Sequence, residues 1–428
     1  MGVENVFVLG LDDHNERTLR ALPDAERYRF HRLLDLDDLL HGDTIPVPEL
    51  LERARRQLAG FEEPVHAVIG FWDFPISTMV PILCERLGLP WASLESVVRC
   101  EHKYWSRLEQ RAVIDEVPRF GLLDLDDPDP GLPDGLRYPV WLKPVKSASS
   151  YLAFRVEDAE RLRDAAAEIR EGIGRMGDPF EFVLDRLDLP PEVAAAGGSA
   201  CLVEEAVTGV QVTVEGYSHR GDVRVYGVVD SVTYPDSPSF LRYQYPSTVP
   251  AGVADRLVEL TRRVIGQLGL DGTTFNIEYF WDPERDAITL LEVNPRHSQS
   301  HAELFELVDG IAHHHCMLQL ALGREPRLPH REGPSATAAK WFLRRPDDGV
   351  AVRVPTAEEI ERVERDVPGC AVRVSVQPGD RLSELHAQDS YTYAVAEVVV
   401  GGGSEDELRE NYERAVAGLP FEFEEPDE

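Results

Sequence analysis

The stretch from residue 273 to 296 constrains this chain more than any other. TFNIEYFWD and AITLLEVN are apolar and branched enough to be strands, and PERD between them carries its own turn signal. Glu278 sits in the middle of the first segment. Glu292 and Asn294 are two residues apart on the second, so they project to the same face. If the segments pair as a hairpin, three oxygen-bearing side chains converge. Two bare carboxylates that close repel and do not both ionise. A hard divalent cation resolves the conflict, and Mg²⁺ prefers carboxylate and amide oxygens. Arg296 follows two residues later, where its planar fork could hold a phosphate or carboxylate. The blander reading is a pair of exposed acids on a sheet face, ended by Pro295.

A chain of 428 residues with 43% hydrophobic content has enough apolar material for a real core and for two to three domains. Its net charge of −33 argues against nucleic acid or anionic lipid as a partner, since either would be repelled. No apolar stretch is long enough to cross a bilayer, and the N-terminus lacks a basic leader. Val6 breaks the myristoylation pattern begun by Gly2. The expectation is a soluble, cytoplasmic protein. Cys84, Cys100, Cys201, Cys316 and Cys370 are scattered without a CxxC or CxxxC, and read as reduced thiols.

Strand and helix patterns alternate over the first hundred residues: NVFVLG, YRFHRLL and VHAVIGFWD as strands, PELLERARRQLAG and PISTMVPILCERLGLP as helices. This predicts a small parallel α/β domain, without a GxGxxG turn. A helix is predicted over YWSRLEQRAVIDEV, ended by Pro118. Strands follow at YPVWLKPV and YLAFRV, with a helix near 157–172. CLVEEAV, VQVTVEGYSH and DVRVYGVVDSVTY then read as longer strands, and 251–268 as a helix. The last ninety residues form another α/β unit, and the glycines at 401–403 read as a hairpin or linker turn.

Lysine is scarce, so each one is informative. Lys143 closes an apolar strand before the small-residue loop VKSASS, where Ser147 and Ser149 offer hydroxyls and the backbone offers N–H groups. Taken alone this is also a snorkelling lysine beside a turn, and Lys103 alone is a solvated helix residue. Three consecutive histidines, His313 to His315, point about 100° apart on a helix and cannot all bind one metal; a structural role is expected. His297, Ser298 and His301 directly follow the acidic strand and are candidates for touching an acceptor substrate. Asp73, at a strand end in the first domain, could hold an amine or cap a loop.

The order Lys103, Lys143 with its loop, VEEAVTG, NIEYF and LLEVNPR resembles the ATP-grasp superfamily, and is most similar to its biotin carboxylase-like and amino-acid ligase branch. The resemblance implies a fold of mixed α/β and α+β class. A pre-ATP-grasp parallel α/β domain would span 1–103, a two-lobed ATP-grasp domain 104–330 (about 104–200 and 201–330), and a C-terminal α/β lobe 331–428. It implies that Lys103 and Lys143, with Ser147 and Ser149, contact ATP phosphates. Glu204 and the backbone of Glu205 and Val207 would line the adenine pocket, and Gln211 stands where many members carry a ribose-binding glutamate. Arg242 would reach the γ-phosphate. Glu278, Glu292 and Asn294 would bind Mg²⁺ or Mn²⁺, and Arg296 would steady the reacting carboxylate. The activity implied is ATP-dependent joining of a small carboxylate and an amine through an acyl phosphate, with ADP and phosphate released. A bicarbonate-activating enzyme and a non-catalytic ATP-binding protein are the alternatives. The resemblance leaves room for a homodimer.

Overall fold

The computed structural model describes residues 2–425 except 41, 43, 148–150, 238 and 386–390. The first sheet is parallel, of β1 (Glu4–Leu9), β2 (Tyr28–Leu33) and β3 (Ala67–Ile69), in the order β2-β1-β3. Val6, Val8, Leu9, Val68 and Ile69 are fully buried. Such two-sided burial is what a parallel sheet flanked by helices demands, and the helices Asp13–Arg20, Val47–Ala59 and Ile76–Leu87 supply the cover.

A smaller antiparallel sheet holds β4 (Phe120–Leu123), β5 (Val140–Pro144), β6 (Phe154–Val156) and β7 (Cys201–Glu205), in the order β4-β7-β5-β6. The helix Ala159–Gly172 packs on it through Leu162, Ala165, Ala166 and Ile169. Those residues lie at the three- and four-residue intervals of one helical face.

The large sheet is antiparallel throughout. It contains β8 (Val210–His219), β9 (Asp222–Thr233), β10 (Phe240–Tyr245), β11 (Thr273–Asp282), β12 (Ala287–Asn294) and β13 (Thr337–Arg345). Past a short pair, β14 (Val350–Arg353) with β17 (Glu422–Glu424), come β15 (Ala371–Val374) and β16 (Tyr393–Gly402). The order is β12-β11-β8-β9-β10-β13-β16-β15. The helix Ala251–Leu268 buries Leu257, Leu260, Val264 and Ile265 against Val212, Val214, Phe275, Ile277 and Val293. Even-numbered β8 residues and odd-numbered β11 residues therefore face that helix. Strand alternation sends Gln211, Thr213, Glu215, Asn276 and Glu278 to the other face.

Three departures from the sequence reading have physical reasons. The helix starting at Lys103 ends at Arg111, well short of Pro118. Gly401 and Gly402 are not a turn but the end of β16, paired with Ala338 and Thr337. A Cβ on Gly401 would lie 2.2 Å from Ser335 Oγ, so the glycine serves close packing. The strands after residue 331 do not form a sheet of their own, because β13, β15 and β16 continue the large sheet from β10. All five cysteines are free thiols. No helix among the described residues is long and apolar enough to cross a membrane.

Candidate active site

The acidic hairpin forms in register. Glu278 lies directly opposite Glu292, and Asn276 opposite Asn294, with a bulge just after Glu278. Glu278, Glu292 and Asn294 thus share one face at the edge of the large sheet. Burial and the charge of Glu292 push the Glu278 carboxyl up to about 7. Burial acts on Glu292 in the same direction, but Lys103 and Lys143 outweigh it and hold that carboxyl below its ordinary value. The environment separates two chemically equal acids into one readily protonated and one firmly ionised. Asn294 Nδ2 donates to Asn276 Oδ1 at 3.2 Å, which turns its carbonyl oxygen free.

The cations come from the helix Lys103–Arg111 and the small sheet. The chain has four lysines, at 103, 143, 146 and 340, and all four are buried. A buried ammonium needs compensation. Lys103 Nζ lies 2.8 Å from Glu292 Oε1 and donates to the Ser147 carbonyl at 2.7 Å. Lys143 Nζ lies 2.6 Å from Glu204 Oε2. Lys146 pairs with Glu101 at 2.7 Å and stands over the rings of Phe74 and Phe180. Arg107 joins the two sides: its Nε meets Glu204 Oε1 at 2.5 Å, and its Nη2 donates to the Leu291 carbonyl at 2.6 Å. Lys103, Arg107, Lys143, Glu204 and Glu292 line one small cavity of about 10 Å³, room for about one water.

Glu204 is consequently not an adenine-facing side chain. Burial alone would raise its pKa, but Arg107 and Lys143 outweigh burial and draw the carboxyl down to about 2. The Glu205 side chain accepts from the Arg137 amide, and its own N–H donates to the Arg119 carbonyl. Val207 follows half-buried in the link to β8. Gln211 donates to Glu278 Oε2 at 2.9 Å, so its amide serves the acidic pair. Ser147 is buried beneath Lys103, and Ser149 lies outside the described residues.

Arg296 reaches across to the first sheet. Its Nη2 lies 2.6 Å from Asp73 Oδ1 and its Nε donates to the same oxygen at 2.7 Å. Asp73 is thereby neither a bare loop cap nor a free amine ligand, since it orients this guanidinium.

Three of the expected site residues are not brought to the open face. Arg242 pairs with Trp341 across β10 and β13, and its guanidinium stands over that ring. Its neighbour Tyr243 is the one on the Glu278 side, so Arg242 points to the far face and is corrected away from the γ-phosphate role. His297 and His301 are 0% and 2% exposed, too buried to meet an acceptor substrate. His301 Nδ1 lies 2.8 Å from Glu215 Oε1, and the Ser298 amide donates to the same oxygen. His297 packs against His313 and His314. Burial holds all three of these imidazoles far below the ordinary histidine range, His314 at about 3. Sequence reasoning missed Arg107, Lys146 and Glu215. Only the scarcity of lysine pointed toward Lys146.

Residues 136–302 match the model of the ATP-grasp domain, and the chain as a whole has the ATP-grasp fold. An uncharacterised protein, y4rH of Sinorhizobium fredii, is 25% identical over 329 residues, covering 73% of this chain and 60% of its own length. The chain thus matches well under two thirds of that curated relative. Among solved structures, the L-amino acid ligase from Bacillus licheniformis superposes with a TM-score of 0.70 at 16% identity, covering 99% of this chain and 100% of the ligase. Biotin carboxylase from Campylobacter jejuni gives 0.65 at 13% identity, covering 98% and 92%. At these identities the structural likenesses establish the fold.

Proposed function

We propose that this chain is an ATP-dependent carboxylate–amine ligase working through an acyl phosphate. The observation that carries the reading is the in-register pair of Glu278 and Glu292, with Asn294 on the same face and Arg296 just beyond. Two carboxylates and one amide oxygen suit Mg²⁺, and burial together with the Glu292 charge raises the Glu278 pKa. Glu278, Glu292 and Asn294 would hold Mg²⁺, which would supply positive charge against the phosphates.

Lys103 and Lys143 would meet the phosphates from the opposite side. Each now neutralises a carboxylate, so a phosphate can take over that partner. The γ-phosphoryl group then passes to a carboxylate oxygen: the bond to ADP breaks and a mixed anhydride forms. An amine attacks the acyl carbon, phosphate leaves with the bonding pair, and the amine proton is released. Arg296, which pairs with Asp73, would stabilise the oxyanion. The full-length likeness to an L-amino acid ligase supports small amino acids as the substrate class. A division at 103 suits this reading, with the acceptor site where the first domain meets Arg296.

Amino acids and small acids are assayed in pairs, and ADP and phosphate should appear only when both partners are present. Release of AMP and pyrophosphate would sink the mechanism, and turnover with bicarbonate alone would favour the carboxylase alternative. Glu292→Ala should lower kcat by at least about 100-fold with the fold intact by circular dichroism.

A further inference from the structure

Beneath Arg296 the chain places three histidines that the ligase reading does not use. His297, His313 and His314 are 0%, 1% and 0% exposed. One ring nitrogen from each lies within 4.8 Å of the other two. His297 Nε2, His313 Nδ1 and His314 Nδ1 have no hydrogen-bond partner. The second nitrogens of His313 and His314 are fixed as donors. His313 Nε2 meets the Ser298 carbonyl at 2.9 Å, and a carbonyl can only accept, so the proton is on Nε2 and Nδ1 carries a bare lone pair. His314 Nε2 meets Asn15 Oδ1 at 3.0 Å; Asn15 Nδ2 donates to Asp12 Oδ2, which sets the amide and leaves His314 Nδ1 bare as well. His297 Nδ1 meets the Thr274 hydroxyl, which can donate or accept, at 3.1 Å, and Nε2 has no partner.

Buried aromatic packing alone explains the rings but not this pattern of free nitrogens. Their edge-to-face contacts would be served equally well by phenyl groups, whereas every imidazole leaves one polar atom unsatisfied. A metal-bound histidine has just this arrangement: one nitrogen on the ion, the other donating to a carbonyl, amide or carboxylate oxygen. Negative charge lies close by. Glu215 is fully buried, accepts from the Ser298 amide and keeps Oε2 unpartnered. A cavity of about 270 Å³ lined by Tyr226, Asp309, His313 and His330 reaches one of the three rings, His313.

We propose that His297, His313 and His314 form a three-imidazole site for a late first-row divalent cation, Zn²⁺ above all, distinct from the oxygen site on the hairpin. Binding draws the three nitrogens together to about 3.3 Å, the edge of a tetrahedron of Zn–N bonds. The ion ties the segment that follows Arg296 to the helix His314–Ala321 and, through Asn15, to the first domain. Its role is therefore to fix the position of Arg296 against Asp73.

The test uses the full chain. The protein is loaded with Zn²⁺, passed through gel filtration and analysed for metal by mass spectrometry; Co²⁺ loading supplies a visible spectrum. The expected result is one zinc per chain, a higher thermal midpoint that a chelator reverses, and the intense d–d bands of a four-coordinate nitrogen site. His313→Phe should weaken zinc binding by more than about 100-fold, while Glu292→Gln, on the oxygen site, should retain it. Wild-type protein emerging without zinc, or zinc lost in Glu292→Gln, would overturn the proposal. So would zinc kept by His313→Phe. Should His313→Phe fail to fold, the wild-type cobalt spectrum decides, because weak six-coordinate bands would place the metal on oxygens.

Discussion

At the scale of single residues, local register was legible and long-range partnership was not. The two-residue periodicity of a strand puts Glu292 and Asn294 on one face whatever surrounds them, and the short PERD turn sets Glu278 opposite. Arg296 could be assigned a charge but not a partner, because Asp73 lies 223 positions away. The same holds for Arg107 and Glu204, whose pairing required the helix Lys103–Arg111 to lie against β7. Two predictions belong here. Asp73→Ala removes the group that orients the Arg296 guanidinium without touching the hairpin. It should lower kcat about 10- to 100-fold with a smaller effect on KM for ATP, measured by steady-state kinetics; an unchanged kcat would show that Arg296 needs no such support. Arg107→Met removes one of the two cations on a fully buried carboxylate and should cost about 3–5 kcal/mol in denaturant unfolding.

At the scale of elements, helices with a one-sided apolar stripe and strands with clean alternation were readable. The helix predicted at 251–268 is observed as Ala251–Leu268. Gly174–Leu184 and Pro191–Ala196 were not foreseen, because Pro179 and a Pro-Pro start hide their periodicity. The glycines at 401–403 misled for the opposite reason: glycine marks a turn locally, yet here it lets β16 approach Ser335. A parallel case lies in β8. Gly216 follows the bulge at Glu215, and a Cβ there would meet the Phe275 ring at 2.3 Å and the Arg224 carbonyl at 2.5 Å. Gly216→Ala should therefore destabilise the chain by about 1–3 kcal/mol, read as a lower urea midpoint, although alanine is the better strand residue by propensity. An unaltered midpoint would mean that β8 and β11 can separate without cost.

At the scale of the whole molecule, the resemblance suggested a separate C-terminal lobe, whereas β13, β16 and β15 extend the large sheet. Composition carries no sign of that join. Its physical content is a buried charge network. Lys340 lies 2.9 Å from Glu397, Arg373 lies 2.7 Å from the same carboxylate, and Arg373 also binds Glu303 beside His14 of the first domain. Burial alone would raise the Glu397 pKa, but Lys340 and Arg373 outweigh it and bring the carboxyl to about 2, the same value as Glu204. A carboxyl whose folded pKa lies below its unfolded value stabilises the fold fully above the unfolded value. That contribution is lost as pH falls through the folded one. The unfolding free energy of the full chain should thus decline between about pH 4.5 and pH 2, as the buried Glu204 and the half-buried Glu397 take up protons. Glu397→Gln lowers stability at neutral pH, since Lys340 and Arg373 lose their shared countercharge, and flattens the decline because one titrating group is gone. Denaturant titrations across that interval measure both effects; an equally steep decline in the variant would place the acid sensitivity outside the join.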